Sequence, residues 1–325
     1  MSPRKITTLI SASFLIAFSG TATAQTAWPE KPIKFVVGAA AGGSASDSIT
    51  RFFAERIHEA TGQAGIIENK PGADGNIAAS HVARAAPDGY TLLVTGNNTH
   101  AANTHLYKTL PFDPDKDFAP VTTYARVPYV LLINPERVAA RSFKDFIAYA
   151  QANSGQMTYA SAALASRVGV EQLKLMANFK ATNINYKSGA QAMTDLIGGH
   201  VDFYIADAVN GLAQARAGRA IALAVTVNER LQSALDIPTI AESGFPDYNF
   251  FSWLAVWAPA QTPPKTVQTL SGLINNAMES NAGKQFLGNA GLLPYPGSPE
   301  ALAALQKSET KRWGQVIKAA GLAQK

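Results

Sequence analysis

Small residues and hydrogen-bonding side chains follow an apolar run at residues 33–37. Ser44, Ser46 and Asp47 can accept hydrogen bonds from the free N–H groups of a first helical turn. Such a turn leaves backbone donors at the positive end of the helix dipole, which suits a carboxylate or a phosphate. The alternative is an ordinary strand-to-helix turn. The candidate ligand-binding residues here are Ala39, Ala40, Ala41, Gly42, Gly43, Ser44, Ser46 and Asp47.

A second cluster follows the predicted strand at residues 157–160. Ser161 and Ser166 are suited to capping the next helix, with their neighbouring amides and Ala163 facing a ligand. Arg167 could hold a carboxylate through two parallel hydrogen bonds. The alternative for Arg167 is a solvated side chain on the first helical turn.

Further candidates lie at the carboxyl ends of other predicted strands, the edge at which open α/β sheets bind ligands. Asn97, Asn98 and Thr99 follow one strand. Asp207 ends another, where it could accept from a ligand amine or hydroxyl or could cap the helix near Asn210. Other candidates are Tyr186, as a ligand contact or a structural residue, and Trp253, as an aromatic wall or a core residue.

The chain lacks the sequence patterns of the common enzyme classes. It has no Gly-x-Ser-x-Gly elbow, no dinucleotide-binding glycine triplet and no phosphate-binding Gly-Lys-Ser/Thr loop. Its 5 histidines are scattered, and it contains 0 cysteines, which excludes thiol catalysis. We therefore predict no catalytic residue, no metal site and no cofactor.

The first residues have the features of a secretory signal peptide. Arg4 and Lys5 precede an apolar stretch at residues 6–18, and Ala22-Thr23-Ala24 resembles a cleavage site. We predict a signal peptide at residues 1–24 and an exported protein. The 28 basic and 23 acidic residues form no long basic run, so nucleic acid is not expected as a partner.

Strand and helix patterns alternate along the chain, which predicts an α/β fold with a mostly parallel sheet. The length of 325 residues suggests two domains. The pattern starts again near Tyr129, after a rigid Pro-rich connection, and a strand at residues 221–227 could return to the first domain.

An ordered set of short motifs runs along the chain. The motifs are WPEKPI (28–33), ENKPGA (68–73), GNI (75–77), APDGYTL (86–92), LPFD (110–113), DFAPV (117–121), YAS (159–161), YKSG (186–189), GGHVD (198–202) and IPTIAESG (237–244). This set resembles the tripartite tricarboxylate transporter substrate-binding proteins, also called Bug receptors or the TctC family, and the similarity covers the whole mature chain. Two departures stand out. Three residues separate the glycine pair from Asp47. In the second loop, the places that usually hold glycines and a nearby histidine hold Ala163, Ala165 and Gly169, with Arg167 added.

The resemblance implies a type II periplasmic binding protein with two Rossmann-like lobes and a two-segment hinge, near residues 122–126 and 225–228. It places lobe 1 at residues 25–122 and 228–325, and lobe 2 at residues 123–227. It also implies that backbone amides of the two turns bind the ligand carboxylate. The expected protein is a monomeric periplasmic receptor that delivers a small organic acid to integral membrane transporter subunits. A periplasmic sensor for a signalling partner is the alternative, and a secreted hydrolase is a further one.

Overall fold

The structure is a computed structural model that describes residues 28–41, 44–162 and 164–322. The signal peptide predicted at residues 1–24 and the candidate residues Gly42, Gly43 and Ala163 lie outside the described residues. The N-terminal part alternates strands and helices as predicted. Its elements are β1 (Ile33–Val37), α1 (Ala45–Thr61), β2 (Gly65–Asn69), α2 (Asn76–Ala83), β3 (Thr91–Gly96) and α3 (Asn103–Leu106).

β1, β2 and β3 are parallel to one another, with β1 in the centre. Helix α1 forms because Ile49, Phe53 and Ile57 recur at helical spacing and are buried against this sheet. The helix ends at Gly62, which has a positive φ of 72° and whose N–H donates to the carbonyl of His58. The strand and the helix predicted within residues 33–61 are therefore confirmed.

The long strand β4 (Phe118–Ile133) joins two sheets. Its first part pairs with a later antiparallel strand as far as Pro128, and its last five residues pair with other strands from Tyr129 onward. Only the final residues of β4 were predicted as a strand. The expected hinge at residues 122–126 lies inside this strand, next to two irregularities in its pairing.

The second sheet is again built from parallel strands and crossover helices, with antiparallel strands on one side. Three of its strands, β5, β6 and β7, run parallel. The elements are α4 (Phe143–Ala152), β5 (Met157–Ser161), α5 (Leu164–Ala177), β6 (Ala181–Asn185), α6 (Gly189–Ile197), β7 (Phe203–Asp207), α7 (Ala208–Arg216) and β8 (Ile221–Val225).

The C-terminal part returns to the first sheet through β9, which lies between β3 and β4 and is antiparallel to both. The strand order across the two sheets is β2-β1-β3-β9-β4-β7-β5-β6, with β8 and β10 also paired to β4. Within the described ranges, no helix combines the length and the apolar character needed to cross a membrane. The last elements are β9 (Phe251–Pro259), α8 (Pro264–Glu279), α9 (Asn281–Asn289), β10 (Leu293–Pro294) and α10 (Pro299–Ala319).

Candidate functional site

A cavity of about 300 Å³ lies where the carboxyl ends of β1 and β3 face the second sheet. Ala165 on α5 and Tyr129 on β4 approach it from the second sheet, and Ser252 and Leu254 approach it from β9. Both halves of the molecule therefore contribute to one site, which we call the cleft. Its lining residues are Gly38, Ala39, Ser46, Gly72, Asp74, Gly75, Val94, Thr95, Gly96, Asn97, Asn98, Tyr129, Ala165, Ser252 and Leu254.

The turn after β1 reaches the cleft through Ala39 and Ser46. Ser44 is the N-cap of α1, because its hydroxyl accepts a hydrogen bond of 3.2 Å from the N–H of Asp47. Ala40 and Ala41 are exposed and are not among the residues that line the cleft. The predicted capping by serine is confirmed for Ser44.

Asp47 holds this turn in place from behind. It is 1% exposed, and its two oxygens accept from Nε and Nη2 of Arg51 at 3.0 and 3.1 Å. Asn69 donates from Nδ2 both to Oδ1 of Asp47, at 2.8 Å, and to the carbonyl of Ala39, at 3.0 Å. The carboxylate therefore ties α1 to the ends of β1 and β2.

Asn97 is a residue of the cleft lining with a buried hydrogen-bond donor. Its side chain is 2% exposed, and its Oδ1 accepts from the N–H of Trp253 at 3.3 Å. This contact fixes the orientation of the amide, and Nδ2 has no partner among the described residues. A buried donor without an acceptor costs about 1–3 kcal/mol, so a ligand oxygen at this position would be stabilised.

The residues after Asn97 are helical, although the sequence indicated a polar loop. Asn98 lines the cleft, and Thr99 is buried behind it with its hydroxyl donating to Thr95 at 3.2 Å. The ring of His100 stacks on Trp257 at 3.8 Å between centroids. Complete burial lowers the pKa of His100 to about 3, so this imidazole is neutral at physiological pH and supports the wall of the cleft.

The connection between β2 and α2 forms another wall of the cleft. Ala73 and Asp74 have positive φ values of 47° and 54°, and Gly72 and Gly75 flank them with 122° and 90°. Only glycine fits at position 75, because a Cβ there would lie 2.8 Å from Cγ2 of Thr99. Gly75 is also the N-cap of α2 and leaves its first turn without a side-chain cap.

Tyr129 and Ser252 bring a pair of hydroxyls to the cleft, 2.9 Å apart. Burial raises the pKa of Tyr129 to about 12, so this phenol stays protonated and can donate or accept. The sequence analysis missed both residues, together with Asp74 and Thr95. The only signal for Tyr129 was its position at the restart of the strand pattern, because the pairings that bring it to β9 are long-range.

The candidates on the second-lobe loop lie mostly behind the cleft. Ser161 is buried and contacts Oδ1 of Asn183 at 2.6 Å, and the hydroxyl of Ser166 accepts from the N–H of Ala162 at 3.3 Å. Arg167 is not among the cleft residues, and its Nε is buried without a hydrogen-bond partner in the described ranges. Burial raises the pKa of Tyr159, and the nearby Arg167 opposes part of that rise. Ligand contact by Arg167 stays a prediction.

Tyr186 and Asp207 also lie away from the cleft. The Tyr186 hydroxyl donates to Asp195 at 2.7 Å, and burial together with this contact raises its pKa to about 12. Asp207 caps α7 by accepting from the N–H of Asn210 at 3.0 Å, and it lines a separate cavity of about 500 Å³ between α6 and α7. Trp253 is fully buried in the core. No group of three potential metal ligands occurs among the residues that the structure describes.

Two α/β sheets that share the long strand β4 and enclose a cavity at their strand ends define a two-lobe periplasmic binding protein. Solved structures agree with this class. An R. palustris protein with adipate covers 92% of this chain and 100% of its own, at 34% identity and a TM-score of 0.79. The malate-bound MatC of Rhodopseudomonas palustris covers 89% of this chain and 100% of its own, at 30% identity and a TM-score of 0.72.

Residues 49–322 match the sequence family described as the tripartite tricarboxylate transporter family receptor, TctC. Protein BugT of Bordetella pertussis is 32% identical over 94% of this chain and 95% of its own length. A protein of Agrobacterium vitis is 33% identical over 99% of this chain and 92% of its own length. The chain therefore belongs to the TctC family, and the family predicted from the sequence motifs is confirmed. This family and its solved structures are binding proteins.

Proposed function

We propose that the protein captures a small organic acid in the cleft and delivers it to the membrane subunits of a tripartite tricarboxylate transporter. The observation that carries this proposal is the Nδ2 group of Asn97, a buried donor on a residue of the cleft lining that has no acceptor among the described residues. A carboxylate oxygen would complete its hydrogen bonding, with a gain of about 1.5–3 kcal/mol for a bond to a charged acceptor.

Other neutral donors support the same chemistry. The first turns of α1 and α2 begin beside the cleft, at Ser46 and Gly75, and helix starts favour anions. The hydroxyls of Tyr129 and Ser252 add two groups that can donate. Two relatives of known structure hold dicarboxylates, adipate in one and malate in the other.

The proposal also covers export, oligomeric state and the division of the chain into lobes. We propose that it is exported with cleavage after Ala24, binds its ligand as a monomer without turnover and does not bind nucleic acid. Residues 25–122 and 228–325 are proposed as one lobe and residues 123–227 as the other. The change in the pairing of β4 between Pro128 and Tyr129 supports two lobes that meet along this strand.

Calorimetry on the mature chain tests this function. Dicarboxylates, tricarboxylates, aromatic acids and amino acids are titrated, and each mixture is assayed for product. We expect saturable binding of at least one carboxylate and no product. Steady product formation at catalytic protein levels would overturn the proposal, and so would the absence of binding across the whole panel.

A further inference from the structure

Among the described residues that line the cleft, one has a carboxyl side chain. Asp74 lines the cleft, whereas no lysine, arginine or histidine does so among the described residues. The described part of the cleft lining therefore combines neutral donors with one carboxyl group.

Tyr107 and Asn103 help to fix the position of Asp74. The hydroxyl of Tyr107 donates to its Oδ2 at 2.7 Å, and Asn103 donates from Nδ2 to its backbone carbonyl at 3.2 Å. The Asp74 backbone has a φ of 54°, a left-handed conformation that aspartate and asparagine tolerate better than most residues. The negative charge is thus held on the wall of the cleft.

The size of the cleft makes this charge important for any ligand. A cavity of about 300 Å³ is roughly 8 Å across, so a bound molecule lies within about one Debye length of Asp74 at physiological salt. A second carboxylate on the ligand would be repelled by Asp74, and an ammonium group would be attracted. Repulsion of the wrong ligand is as effective for selectivity as attraction of the right one.

We propose that Asp74 is a specificity-determining residue that selects a ligand with one carboxylate and one ammonium group over a dicarboxylate. This inference rests on the proposed function, because the neutral donors around Asn97 must hold the carboxylate. The proposed preference differs from the dicarboxylates adipate and malate, with which two relatives were solved. The ligand class is a small aminocarboxylate.

Matched ligand pairs test the inference by calorimetry. The pairs are 6-aminohexanoate with adipate and 4-aminobutanoate with succinate, which differ in the charge at one end of chains with equal carbon number. We expect the parent protein to bind each aminocarboxylate about tenfold more tightly than its dicarboxylate partner. The Asp74→Asn variant keeps an acceptor for Tyr107, and asparagine tolerates the left-handed backbone conformation at this position. In this variant, the ratio of the two affinities should fall about tenfold.

Asp247→Asn is the control, because it removes the same charge from an exposed residue outside the cleft lining. We expect it to keep the parental preference, and raising the salt concentration should reduce that preference in the parent. If dicarboxylates bind more tightly and Asp74→Asn leaves the ratio unchanged, the inference is overturned while the proposed function stands. If no member of either pair, nor any other acid, binds, the proposed function fails.

Discussion

Single residues decide how the cleft can hold an anion, since none of the described residues that line it has a positively charged side chain. The amide of Asn97 is oriented by the N–H of Trp253, so its two N–H bonds remain for a ligand. Backbone and amide donors bind a carboxylate without adding charge, and they count for more where the closed cleft excludes water.

Replacing Asn97 by Asp tests this role. The change keeps the size of the side chain and the acceptor for Trp253, but it exchanges the free donor for a negative charge. We expect carboxylate binding to weaken by more than tenfold, because repulsion is added to the lost hydrogen bond. Calorimetry measures the affinity, and thermal unfolding checks the fold. Asn97→Asp binding as tightly as the parent would remove Asn97 from the site.

His100 links stability to pH. Its pKa is about 3 in the folded protein, against an ordinary value of 6.5, so the unfolded chain binds more protons between these pH values. The contribution of the neutral ring is therefore complete above pH 6.5 and falls as the pH falls towards 3. We expect denaturant unfolding to report a loss of a few kcal/mol over this window.

The control for His100 keeps an aromatic ring in its place. His100→Phe preserves stacking on Trp257 but cannot titrate. Its stability should fall less steeply than that of the parent between pH 6.5 and 4. Replacing the exposed His81 by Gln should leave the parental slope unchanged. Equal slopes for the parent and His100→Phe would contradict this explanation.

At the scale of elements, two helices begin in the same way and differ in what their first turn contacts. α1 and α4 both have a serine N-cap followed three residues later by aspartate. Asp145 of α4 bonds back to its own cap, Ser142, in an exposed capping box. Asp47 of α1 instead faces Arg51 and Asn69 and is buried.

This difference predicts unequal costs for the same substitution. Asp47→Ala should lower the free energy of unfolding by about 2 kcal/mol, because it removes a buried charge-assisted network, and it should also weaken ligand binding by loosening the turn. Asp145→Ala should cost less and leave binding unchanged. Denaturant unfolding and calorimetry on both variants provide the comparison. Equal effects of the two substitutions on binding would show that Asp47 does not support the cleft.

The sequence predicted the elements whose signals are local. The first strand and the capped helix after it were placed correctly, because the apolar run, the cap and the helical spacing are adjacent in the chain. The cleft roles of Tyr129, Ser252 and Asp74 could not be predicted in this way. Tyr129 and Ser252 meet through the pairing of β4 with β9, and Asp74 depends on a left-handed turn that sequence types do not specify.

At the scale of the whole molecule, the two sheets remain connected through β4, β9 and the segment after β8. Tyr129 donates to Thr226 from its backbone N–H at 3.0 Å, and Phe250 donates to the carbonyl of Thr226 at 2.8 Å. These contacts lie where the chain passes between the lobes, beside the cleft residues Tyr129 and Ser252. Few-residue hinges at such crossings are sufficient for lobe closure around a ligand.

A crystal structure with the tightest-binding acid of the panel tests the central claim most directly. We expect one ligand carboxylate between the turn after β1 and Ala165 of α5, with an oxygen about 3 Å from Nδ2 of Asn97. A carboxylate with no oxygen near Nδ2 of Asn97, or a ligand seated only in the cavity between α6 and α7, would contradict the account.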